Sequence, residues 1–188
     1  MPSNTENARM ITPLGSPVVV AADNPPPPDP AGPSDDELLA AHAAVLADGI
    51  DRALGPWVVR SVQVIAEAWQ PGLGRTLEAD AVDAGARAQA DIGPQVRALL
   101  AADVDAQATG PLALLRGAVR YPTEVLAGAG VPPVVRDEFA ERAFPDDVYG
   151  LAVAAFADLD PALHEAGLVW GAAKAHVVLA RRRAEGRR

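Results

Sequence analysis

The sequence predicts an all-α fold, an irregular bundle of about seven helices behind a disordered proline-rich N-terminal tail. Three observations predict it. Apolar residues recur at steps of three and four through most of the chain after residue 33, which puts them on single helix faces. No stretch of useful length alternates apolar and polar residues as a half-buried strand would. The composition is 49% hydrophobic but only 4% aromatic, and alanine, the best helix former, dominates it. A core built that way depends on close approach between helices more than on large side chains.

The domain organisation follows from the composition shifts. Residues 1–33 read as tail, residues 34–184 as a single helical domain, and residues 185–188 as a basic C-terminal end. Pro25-Pro26-Pro27-Pro28-Asp29-Pro30 suits extended polyproline II, which makes no internal hydrogen bonds. It reads as a spacer rather than as a ligand for a proline-binding groove, since no basic residues flank it.

The first helix starts after Ser34. Ser34-Asp35-Asp36-Glu37 is a capping box, with acids at the positive helix end. Leu38, Leu39, His42, Val45, Leu46, Ile50 and Ala53 mark its expected buried side. Gly55 stops it, and Pro56 opens a second helix with the stripe Val58, Val62, Ile65 and Trp69. Pro71-Gly72 ends that one. A third helix runs from Thr76 to Ile92, is broken or kinked at Gly93-Pro94, and continues from Gln95 to Val104. Thr109-Gly110-Pro111 leads into a helix from Leu112 to Arg120. Tyr121-Pro122-Thr123 reads as a turn before a short helix through Leu126.

Gly128, Gly130 and Pro132-Pro133 make the next break. A helix from Val134 to Ala143 follows, with Glu138 and Arg142 one turn apart in the favourable order. Phe144-Pro145-Asp146-Asp147-Val148-Tyr149-Gly150 is a loop, and Leu151 to Leu159 a short helix. Asp160 caps the last helix, with Pro161 at its first position. Leu163, Ala166, Trp170, Ala173, Val177 and Ala180 form its main stripe. Leu168, Ala172, Ala175 and Leu179 form a second stripe on the opposite side. A helix apolar on both sides is expected to be buried among others, with Arg181-Arg182-Arg183 as its exit to water.

The formal net charge of −9 disfavours nucleic acid and anionic membrane surfaces as partners. With no cysteine, disulfides, thiol catalysis and thiolate metal sites are excluded. No run is long and apolar enough for a membrane span, and Pro13, Gly15 and Pro17 interrupt the only segment resembling a signal peptide. The expected location is cytoplasmic.

The chemistry-bearing residues concentrate in two places. Arg136, Asp146, Asp147 and Tyr149 lie in or beside the Phe144 to Gly150 loop, where binding groups tend to be held between rigid helices. His164, Trp170, Lys174 and His176 lie on the last helix. These eight are the candidate binding residues. Lys174, the only lysine, sits one turn past Trp170. It is either a desolvated nucleophile or base, or a stem packed on Trp170 with its ammonium at water or a carboxylate. On one straight helix His164 and His176 lie roughly 18 Å apart, too far to share one ion. The sequence assigns no catalytic residue, no cofactor and no metal.

Three segments carry a resemblance. They are Leu114-Leu115-Arg116-Gly117-Ala118-Val119-Arg120-Tyr121-Pro122-Thr123-Glu124-Val125-Leu126, Phe144-Pro145-Asp146-Asp147-Val148-Tyr149, and Gly167-Leu168-Val169-Trp170-Gly171-Ala172-Ala173-Lys174-Ala175-His176. Across residues 34–185 the chain resembles a family of uncharacterised actinobacterial proteins. That resemblance implies a stand-alone helical protein and carries over no catalytic residue. The expected function is a non-enzymatic scaffold or accessory subunit that binds a protein partner or a second copy of itself. The alternative is a small-molecule or enzymatic pocket near Lys174 and Tyr149.

Overall fold

The computed structural model describes residues 32–102, 104 and 110–187. The expected proline-rich tail lies outside these residues, apart from Gly32 and Pro33. The described residues are helical with irregular connections and contain no strand. The all-α reading is correct, but several boundaries differ.

The organising element is α1, Asp35–Trp69, against which α3 and α8 both pack. Its start is as expected: Ser34 Oγ accepts from Glu37 N, and the Glu37 carboxylate accepts from Ser34 N at 2.7 Å. Gly55-Pro56 does not stop it, because α1 runs through both as one helix. Pro56 lies on the exposed side. Its missing N–H therefore costs a hydrogen bond on the wet face and leaves the core face unbroken. Leu46, Ile50, Leu54 and Val58 on that face are fully buried, each worth about 1.5–3 kcal/mol of burial. Leu38 and Val45, expected inside, are 42% and 62% exposed.

A short turn, α2 (Leu73–Thr76), leads into α3 (Glu78–Ala101). The expected break at Gly93-Pro94 is also absent, since Pro94 is again exposed. α3 packs antiparallel along α1, with Gly85 beside Gly55 and Arg97 paired to Asp48 at 2.7 Å. α4 (Pro111–Arg116), a 3-10 turn (Gly117–Val119) and α5 (Arg120–Gly128) follow almost without interruption. Tyr121-Pro122-Thr123 is therefore helix rather than turn. Pro122 falls in the first turn of α5, where backbone N–H groups have no helical acceptor.

Residues 131–137 are not helical, and α6 is only Glu138–Ala143. Val134 N donates to Val148 O at 3.1 Å instead of starting a helix. Leu151 to Ala155 is likewise irregular, leaving the single turn α7 (Phe156–Leu159). The last helix, α8, spans Leu163–Glu185. It begins after Asp160 and Pro161, and it passes through the arginines expected to end it. Asp160 still takes one backbone N–H, that of Ala162, at 2.9 Å.

α8 lies antiparallel on the N-terminal half of α1. Leu163 meets Gly49, while Arg181 pairs with Asp36 at 3.0 Å. Only one of its faces is covered, through Leu163, Gly167, Trp170 and Val177. The second stripe is exposed, so the expectation of burial on both sides is wrong.

Candidate functional site

The loop after α5 is tied down by its own polar groups. Arg136 Nη1 donates to Phe144 O at 2.8 Å and reaches Ala140 O at 3.4 Å, closing the C-terminal end of α6. Asp137 caps the other end, accepting from Ala140 N at 2.7 Å. Asp147 is buried, and its two carboxylate oxygens accept from Leu151 N and Ala152 N, both at 2.7 Å. Charge-assisted bonds of that length satisfy two backbone donors of the irregular stretch after Gly150. Tyr149 is buried as well, and its hydroxyl donates to Val131 O at 2.7 Å. Burial pushes its phenol above the ordinary value.

Asp146 stays exposed and looks onto a cleft of about 520 Å³ between this loop, α3 and α4. Gln95, Arg116, Arg120 and Phe144 also line it. The Arg116 guanidinium stands 5.3 Å from the centre of the Phe144 ring. Arg120 Nη2 bonds Asp91 Oδ2 at 3.2 Å, and the buried Tyr121 hydroxyl donates to the same oxygen at 2.6 Å. Burial raises the Tyr121 phenol, and the hydrogen bond with Tyr121 raises Arg120. The lining carries two guanidinium groups, Arg116 and Arg120, and two carboxylates, Asp146 and Asp147. The cleft offers polar contacts without a concentrated charge. Sequence reading missed Asp91, Arg116, Arg120 and Tyr121 as cleft or network residues. The only local signal was the spacing of Arg116 and Arg120, four residues apart on what reads as one helix.

The candidates on α8 do other work. Trp170 meets Phe156 edge-on at 6.4 Å, in a contact that needs Gly167, whose Cβ would collide with the Phe156 ring. Lys174 Nζ sits 5.2 Å from the centre of the Trp170 ring, a cation–π distance. His176 Nε2 lies 3.2 Å from Asp35 Oδ2 in the first turn of α1. His164 is exposed at the start of the helix, its backbone N–H on Pro161 O.

The structure thus brings Trp170 to Lys174, and Asp146 and Asp147 to one loop, but it does not join the two groups. Tyr149 packs in a cluster with Val62 and Ala66, whereas His176 stands against Asp35. Those α1 positions are roughly 40 Å apart at about 1.5 Å per residue. Among the described residues no group of three or more His, Asp or Glu side chains is placed to hold a metal ion, and no described helix is long and apolar enough to cross a membrane. The chain matches no family model, no curated protein and no solved structure.

Proposed function

We propose that this protein acts as a non-enzymatic interaction subunit, a scaffold or accessory protein of the cytoplasm whose partners are proteins rather than nucleic acid. One observation carries the reading: the outer side of α8 and the adjoining part of α1 keep large apolar side chains in water. Leu168, Leu179 and Val45 are 62%, 50% and 62% exposed. Grouped apolar exposure on a helix face that also carries alanine is the pattern of a surface that pairs with another protein. The polar candidates support the same reading by their use. Arg136, Asp147 and Tyr149 hold backbone, and His176 ties α8 to α1. A pocket shared by Lys174 and Tyr149 would need both side chains at one place, but Lys174 overhangs Trp170 of one core cluster and Tyr149 is buried in the other.

The test is mass in solution, measured by light scattering, together with cross-linked co-purification from the native cell. An oligomer or a recovered partner is the expected result. A chain that stays monomeric and recovers nothing would overturn the reading.

A further inference from the structure

The outer face of α8 is chemically symmetric about its own middle. Starting at Glu165, the residues Leu168, Ala172, Ala175, Leu179 and Arg182 follow at alternating steps of three and four. That spacing is a heptad seam, so all six share one arc of the helix. All six are exposed, and their arc lies opposite the side that sends Trp170 and Val177 into the core. Read from either end, the seam runs charge, leucine, alanine, alanine, leucine, charge, with the two charges opposite in sign.

Two such faces laid antiparallel match at every position. Leu168 meets Leu179 of the second copy, Ala172 meets Ala175, and Glu165 meets Arg182. Laid parallel, the same seam would set Glu165 against Glu165 and Arg182 against Arg182, which is repulsive. Alanine at the centre lets the helix axes come to the close end of the usual 8–10 Å range. The chain as a whole is acidic, but α8 carries Lys174, Arg181, Arg182 and Arg183 against Glu165 and Glu185. The surfaces that meet are therefore not the ones that carry the net negative charge. Beside the seam, Val169 of α8 and Val45 of α1 flank a groove of about 370 Å³. They widen the apolar contact toward the roughly 800 Å² per partner that stable interfaces bury.

We propose that this protein self-associates through α8, two copies pairing antiparallel about a two-fold axis between Ala173 and Lys174. The inference rests on the interaction reading above and names its partner, a second copy of this chain.

Sedimentation equilibrium on the full chain tests it. The native chain is expected to dimerise reversibly. Leu168→Glu with Leu179→Glu should raise the dissociation constant about 30-fold or more. Both side chains are half exposed, so helical circular dichroism should not change. Glu165→Arg alone should weaken the dimer, and Glu165→Arg with Arg182→Glu should restore it, because each copy then carries both reversed charges. The chain has no cysteine of its own. Leu168→Cys protein mixed with Leu179→Cys protein should therefore cross-link, and neither should do so alone, since like positions stand about 16 Å apart along antiparallel helices.

A dimer indifferent to these substitutions would overturn this inference and leave the interaction reading standing. So would a monomer that captures a different protein. Cross-linking of Leu168→Cys to itself would overturn the antiparallel pairing. A monomer with no partner of any kind would end both.

Discussion

A Cβ atom built on Gly85 would lie 2.8 Å from the carbonyl oxygen of Gly55, so α1 and α3 touch backbone to backbone at this crossing. The relationship is not reciprocal. A Cβ on Gly55 would meet its nearest neighbours, Gln89 Oε1 and Gly85 O, at 3.7 Å, an ordinary contact. Gly85→Ala must push the helices apart and is expected to cost about 1–3 kcal/mol, as overpacking does. Gly55→Ala is expected to be neutral or to stabilise by up to about 1 kcal/mol, because alanine restricts the unfolded chain and favours helix. Urea denaturation of the two variants measures the difference. Equal losses would mean that the close crossing is not what requires glycine at position 85.

Asp147 is the internal fastening of the loop that faces α3 and α4. Asp147→Ala leaves the N–H groups of Leu151 and Ala152 without their acceptor, at a cost of about 1.5–3 kcal/mol. Asp147→Asn keeps one acceptor oxygen and should lose less. Hydrogen exchange at Leu151 and Ala152 should quicken in both variants, more in the alanine one. Unchanged exchange would show that other groups hold this backbone.

How legible these features were depends on the range of the physics behind them. The Ser34 to Glu37 box is complete within four residues, and its consequence, the start of α1, was readable. Pro56 and Pro94 looked like breaks because local rules penalise proline inside a helix. The deciding fact was their position on the wet face, with Leu54, Trp57 and Val58 unbroken on the other. That choice is made by the helix packed alongside, not by the neighbours in sequence. The same holds for Leu38 and Val45, which share a period with buried residues but fall just outside the contact with α8. Leu151 to Leu159 has a helical composition, but its first residues are held as irregular backbone on the Asp147 carboxylate, which lies outside that stretch, and only Phe156–Leu159 makes a helical turn. In the candidate site, Trp170 and Lys174 were readable as neighbours from their one-turn spacing. The distance between Lys174 and Tyr149 was not, because it is set by which end of α1 each packs against. Both stripes of α8 were visible, but periodicity does not say which one the rest of the chain will cover.

Tyr149 gives an alkaline signature. Its neutral hydroxyl donates to Val131 O, and burial raises its phenol above the ordinary 10.0. A raised value in the folded state means that the contribution to stability is whole below 10.0 and is lost as pH rises through the higher folded value. Tyr121 behaves alike, raised chiefly by burial and donating to Asp91. Tyr149→Phe is expected to cost about 1–3 kcal/mol at neutral pH, because Val131 O loses its donor. The loss of stability above pH 10 should then be shallower than in the native chain. Denaturation at several alkaline pH values, followed alongside phenolate absorbance, measures both effects. An identical alkaline slope in the variant would remove Tyr149 from the account.

The capping box gives the opposite, acidic signature. The bonds from Ser34 backbone and hydroxyl hold the Glu37 carboxyl below its ordinary value of 4.5. A lowered value in the folded state means that the charged carboxylate contributes fully above 4.5, and that the contribution is lost as pH falls through the lower folded value. Glutamine imitates the protonated acid and keeps the side-chain shape. Glu37→Gln should therefore lie slightly below the native chain in Tm at neutral pH, and the two should converge on acidification. Glu37 is exposed, so the gap should also narrow with salt. A gap that ignores both pH and salt would place the benefit of Glu37 in its packing or helix propensity and not in its charge at the N-terminus of α1.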